Sequence, residues 1–132
     1  MGGVSIAREF RQAEVEYFFD PDDPTHPGYE RIKEMVVVGL PADGGVGFEP
    51  ELIDSDGSIT TSIGKLVTHQ IIGYYLAQLW EMGLELGLKP DRMRLRQHHP
   101  TEMAHYASDC WDLEAKTEAG WLELAGCANR TD

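Results

Sequence analysis

Cysteine is scarce in this 132-residue chain, which holds only Cys110 and Cys127. Two widely spaced thiols make neither a zinc pattern nor a disulfide framework. They are read as small buried hydrophobes. Basic residues are few as well: 11 Lys and Arg stand against 23 Asp and Glu, for a net charge of −12. Such a chain is soluble and repels nucleic acid in general, which argues against an RNA-binding module on its own. It does not argue against a nucleotide site, where a few placed cations and a metal suffice. No run of about 18 apolar residues occurs, so no helical membrane span is expected. Met1-Gly2-Gly3-Val4-Ser5 lacks the basic region and long apolar core of a signal peptide, and a cytoplasmic location is expected. Internal repeats, low-complexity tracts, a Ser-His-Asp elbow, a Walker loop and a Rossmann glycine pattern are all missing.

What remains is an ordinary globular composition, 42% apolar, at a length suited to one domain. Ala7 to Phe19 is rich in Phe, Tyr and Val and ends at Asp20-Pro21-Asp22-Asp23-Pro24, so it reads as a strand closed by a turn. Alternation puts Phe10, Gln12, Glu14, Glu16 and Phe18 on one face. Pro27 to Lys33 reads as a short helix with Pro near its start. Glu34 to Leu40 contains Val36-Val37-Val38 and reads as a strand. Pro41 to Ser58 is turn-rich. Thr61 to Leu86 is the strongest helix candidate: Ile63, Leu66, Val67, Ile71, Tyr74, Tyr75 and Leu79 recur at helical spacing, Gly87 ends it and Pro90 follows. Arg92 to His98, Glu102 to Asp112 and Gly120 to Asn129 read as strands. The first alternates Arg94, Arg96 and His98 against Met93, Leu95 and Gln97, and the last sets Trp121, Glu123 and Ala125 on one face. The sum is an α+β pattern, an antiparallel-leaning sheet with one long helix.

Glu14 faces inward on its strand, where a carboxylate is costly unless paired. It reads either as an edge-strand surface group or as an amine binder. Phe10 lies ~13 Å away on the same face at the usual strand rise, about the span of an aminoacyl adenylate. Glu123 interrupts the apolar run Trp121 to Gly126, as an exposed group or as an oxygen ligand for Mg²⁺. His98, His99, His105 and Cys110 can be drawn as a zinc site, but their spacing matches no tetrahedral motif and zinc is not expected.

Three segments together resemble one family. Arg8-Glu9-Phe10-Arg11-Gln12-Ala13-Glu14-Val15-Glu16 is similar to the second half of motif 2 of the class II aminoacyl-tRNA synthetases. Glu102-Met103-Ala104-His105-Tyr106-Ala107-Ser108-Asp109-Cys110-Trp111-Asp112 resembles a segment special to the archaeal and eukaryotic glycyl-tRNA synthetases, and Gly120 to Asp132 resembles the strand that follows it. The likeness covers nearly the whole chain. It implies a partial catalytic domain over 1–132: the second half of motif 2 in 1–20, an inserted α/β segment with the long helix in 21–90, and core strands in 91–132.

The resemblance also implies a function and a site. The family activates glycine with ATP and Mg²⁺ and passes the glycyl group to tRNA(Gly), acting as a homodimer. Phe10 would stack on adenine, and Glu14 would bind the glycine ammonium. Glu123 and the backbone at Leu124 would lie at the ATP and Mg²⁺ site, with Arg130 pointing a cation at the substrate or adenylate. The half of motif 2 that carries the α-phosphate Arg is absent from this sequence. Ile6 stands where the family has Arg or His, and motif 3 would lie beyond Asp132. Losing one charge-stabilising donor costs ~10²–10³ in rate, so the 132 residues alone are expected to be inactive. The alternatives are a stand-alone relative that binds glycine, adenylate or a protein partner without catalysis, and a ligand-free structural domain.

Overall fold

In the computed structural model, residues 17–103 and 107–130 are described; the side chain of Ala107 is not. The strand expected over Ala7 to Phe19 therefore lies mostly outside the described residues. Its last part, Tyr17 to Phe19, is irregular chain. From there the chain crosses helix α3 (Gln70–Glu85) through aromatic contacts. The His26 ring stacks on Tyr74 at 3.8 Å, Tyr17 meets Tyr75 at 5.5 Å, and Phe19 meets His69 edge-on. The His26 backbone N–H donates to Gln70 Oε1. Gly28 permits this close approach, since a Cβ there would run into the Tyr74 ring.

The remaining elements are α1 (Tyr29–Ile32), β1 (Val36–Leu40), β2 (Ile59–Ser62), α2 (Ile63–Leu66), β3 (Met93–Gln97), β4 (Ala107–Thr117) and β5 (Gly120–Arg130). The sheet order is β2-β1-β3-β4-β5. Three pairings are antiparallel, but β1 and β3 run parallel, which makes the sheet mixed. A parallel pair needs a long crossover. Here β2, α2 and α3 supply it.

The long helix expected from Thr61 is shorter at its start. Thr61 and Ser62 pair with Val37 and Val36 as part of β2, which sequence periodicity did not register. Next, Ile63 and Gly64 donate their N–H groups to Met35 and Lys33 carbonyls, pinning a single helical turn beside β1. The helix restarts after Thr68 with His69 as its cap, the Nδ1 accepting from the Ile72 N–H. It ends where Gly87 adopts φ +94° and Leu88 N–H returns to the Gly83 carbonyl.

The core lies between α3 and one face of the sheet. Ile72, Leu76, Ala77 and Trp80 of α3 are buried against Val37, Met93, Leu95, Trp111 and Leu113. Alternation therefore sends Arg94, Arg96, Asp112 and Glu114 to the opposite face. Gly83 lets α3 sit close to the sheet, because a Cβ there would strike the Met93 sulfur.

One strand differs in face from its sequence pattern. Leu113 pairs with Ala125 and Glu114 with Glu123, a shift of one residue at a β-bulge. Trp121 and Glu123 keep to the polar face. Ala125 and Cys127 instead pack against the core, and Leu124 sits at the irregularity, 39% exposed.

Candidate functional site

The polar face of β3, β4 and β5 is organised by cross-strand pairs. Registry sets Arg94 opposite Glu114, Arg96 opposite Asp112, Asp112 opposite Gly126 and Glu114 opposite Glu123. Arg94 Nε donates to Glu114 Oε1 at 2.7 Å, and both side chains are nearly buried, at 13% and 12% exposure. The same guanidinium lies 4.0 Å from the centre of the Trp121 ring. A cavity of about 230 Å³ opens beside this stack, lined by Asp54, Asp56, Thr60, Arg94, Lys116 and Trp121 among others.

Further along β3, His98 Nε2 lies 2.6 Å from Asp112 Oδ2, the ring nitrogen facing the carboxylate. Asp112 is buried, and its other oxygen lies over Gly126. Glu123 reaches the same place. Its carboxyl is pushed above the ordinary range, first by burial, then by the charge of Asp112 and a hydrogen bond to it. Glu123 as a whole residue is exposed, so solvent screens part of that effect. The two carboxyls thus share one small region of a solvent-facing sheet.

Glu102 closes the corner. Arg96 donates to both of its oxygens, at 2.8 and 2.7 Å, and the His99 N–H donates to it as well. The Arg96 hydrogen bonds, followed by that backbone contact, hold Glu102 down to about 2 from the ordinary 4.5. The unfolded chain keeps this proton up to about 4.5 and the folded chain only to about 2, so in that window the unfolded state binds more protons. Stability from this clamp is full above the window and is lost as pH falls through it. Acid titration of Glu102→Gln, followed by circular dichroism, is expected to show a shallower loss between those values than the parent chain. Superimposable acid limbs would mean that the clamp contributes nothing.

The structure brings Glu123 and Leu124 together on β5 and places Arg130 on the same strand opposite Ala107. Arg130 lies seven positions beyond Glu123, ~23 Å of extended chain. Phe10 and Glu14 lie outside the described residues. The thiols are poor nucleophiles: burial pushes Cys127 up to about 11 and raises Cys110. Among the described residues, no group of three or more His, Cys, Asp and Glu is arranged to hold a metal. Also among them, no helix is long and apolar enough to cross a membrane. Sequence reading singled out Glu102 to Asp112 as a segment but gave neither terminal residue a task. The available signal was the alternation of Arg94, Arg96 and His98 followed by that of Asp112 and Glu114 on the next strand.

Comparison with known proteins decides the ancestry of this arrangement. The chain is 43% identical over 136 aligned residues to the glycine–tRNA ligase of Methanocaldococcus jannaschii, 38% to the mitochondrial glycine–tRNA ligase 1 of Saccharomyces cerevisiae, and 39% to the Drosophila melanogaster enzyme. In each case 98% of the chain is aligned. The chain is homologous to one part of the glycine–tRNA ligases. It spans 23%, 19% and 17% of those three relatives. No protein-family model matches it. The glycyl-tRNA synthetase resemblance carried by Arg8 to Glu16, Glu102 to Asp112 and Gly120 to Asp132 is thus borne out at the level of ancestry, and the α+β sheet is compatible with it.

Proposed function

We propose that this chain forms part of the catalytic domain of a class II glycine–tRNA ligase, contributing one side of the site where glycine and ATP react. The observation that carries this reading is the extent of the homology, 98% of the chain at 38–43% identity to the three ligases. The polar sheet face supports it, with Glu123 turned outward beside Asp112.

In this reading Phe10 stacks on adenine, Glu14 receives the glycine ammonium, Glu123 and the Leu124 backbone meet ATP, and Arg130 faces the adenylate. The glycine carboxylate attacks the α-phosphorus, and the bond to the bridging oxygen breaks to release pyrophosphate. The protein residues contribute position and charge, with no covalent intermediate on the chain. Mg²⁺ typically takes one or two carboxylates together with substrate phosphates. Glu123 fits that demand as a single protein carboxylate, without a complete protein cage. When bound, the ion would neutralise phosphate charge. Transfer to tRNA and dimerisation belong to the larger protein.

Calorimetry with a non-hydrolysable glycyl-adenylate analogue and Mg²⁺ tests the reading. The parent chain is expected to bind, and Glu14→Ala to bind about 10- to 100-fold more weakly, the worth of a charged hydrogen bond. No binding by the parent chain would reduce the relationship to common ancestry alone.

A further inference from the structure

The segment from Glu102 to Asp112 marks the family but has no task in the reading above. The geometry points to one for its last residue: we propose that Asp112 is a positioning residue, holding the Glu123 carboxyl in the direction from which it meets its ligand. This deepens the proposed function and rests on Glu123 being the ATP and Mg²⁺ contact.

Three observations converge on Asp112. One oxygen is fixed by His98 Nε2 at 2.6 Å, so the carboxylate cannot swing freely. The side chain is only 10% exposed, unusual for a carboxylate on a solvent-facing sheet. Its second oxygen, Oδ1, is aimed across the β4–β5 pairing toward Gly126 and Glu123. A carboxylate anchored at one oxygen and largely buried offers the other in a fixed direction, and groups in that position fix the orientation of the residue that touches the ligand.

Gly126 is the second half of the device. Its φ is outside the left-handed region, so its backbone does not require glycine. The space above it is tight, so a side chain there would push on the two carboxyls. A Cβ at 126 would stand 3.2 Å from Asp112 Oδ1 and 3.7 Å from Glu123 Oε1. Glycine leaves the floor on which the two carboxyls meet. The β-bulge at Leu113/Glu114 is what brings Glu123 to this place, since without it Glu123 would be displaced by one position along β4.

The test has two readouts on the same 132-residue chain. The first is ligand-free: nuclear Overhauser contacts between the Glu123 γ-protons and the Gly126 α-protons, with the tautomer of His98 read from its ring nitrogens. The second is calorimetry with the glycyl-adenylate analogue and Mg²⁺. Asp112→Ala and Gly126→Ala are expected to lose the Glu123–Gly126 contacts and to weaken the analogue by about 10- to 100-fold. Asp112→Asn can still accept from His98 and donate to Glu123, so it should retain the contacts and most of the affinity. A purely structural charge at 112 would make Asn and Ala equally harmful. If Asp112→Ala does not fold, Gly126→Ala carries the test, because it removes no polar group. Contacts that persist unchanged in a folded Asp112→Ala or Gly126→Ala chain overturn the proposal, as does equal analogue binding by the parent and Gly126→Ala. If the parent binds no analogue, the ligase reading fails by itself, and the contacts still decide whether Asp112 positions Glu123.

Discussion

Trp111→Ala is expected to cost about 4 kcal/mol, within the usual range for removing a buried aromatic from a core. Domains of this size have only about 5–15 kcal/mol in total. Much of that margin would disappear with one side chain. Trp111 is 2% exposed in the middle of β4, in the same cluster as Leu95 and Trp80. Its ring lies where α3 meets the sheet, so its loss leaves a cavity lined by rigid elements that cannot easily collapse. The indole N–H also donates to Asp109 Oδ2 at 3.1 Å, while Gln97 donates to the other oxygen of that carboxylate. Trp111→Phe separates the two effects. It keeps most of the apolar volume and loses one hydrogen bond, so it should cost about 1–2 kcal/mol. Urea denaturation followed by circular dichroism measures both. A loss below about 1 kcal/mol for Trp111→Ala would show that the β4 core is not closed as described.

Much of this architecture was legible because one face of each strand is apolar. Met93 and Leu95 against Arg94 and Arg96 gave β3 its existence and its two faces, over a span one residue longer at each end than the observed Met93–Gln97. Val36 to Val38 gave β1, since β-branched residues favour the pleat. The strand expected over Glu102 to Asp112 is displaced to Ala107–Thr117, with Glu102 in the turn before it, and other features escaped for physical reasons. Ile59 to Ser62 is a four-residue strand with a single fully buried side chain, too short to show a period, and its Thr and Ser residues merged into the helical pattern that follows. The bulge in β5 leaves no mark in composition. Its sequence alternates well enough, but one extra residue turns Ala125 to the core. The parallel β1–β3 pairing is likewise a product of chain connection. As for the site, Glu123 stood out as the one charge in an apolar run. Asp112, His98 and Glu102 did not, because their meaning lies in cross-strand partners that no local window contains.

Those partners make the second large effect. Arg94→Ala is expected to destabilise the fold by about 3–5 kcal/mol, the cost of stranding one member of a largely buried ion pair. Arg94 faces Glu114 at 2.7 Å and Trp121 at 4.0 Å, so its removal deletes an ion pair and a cation–π contact together. The damage extends beyond those two contacts. Glu114 pairs in register with Glu123, whose carboxyl is already raised by burial and by Asp112. Without the guanidinium, three carboxylates crowd one sheet face with less compensation. Replacing both partners, as Arg94→Met with Glu114→Leu, removes the stranded charge and should recover most of the loss. Urea midpoints of the single and double variants check this. A loss under about 1 kcal/mol for Arg94→Ala would place the pair among ordinary surface ion pairs. A double variant no better than the single one would show that the packing of Arg94 on Trp121, and not its charge, holds β3 to β5. Recovery in the double variant would make the charge on Arg94 the reason this face can carry a cluster of carboxylates, and so the condition for presenting Glu123 outward at all.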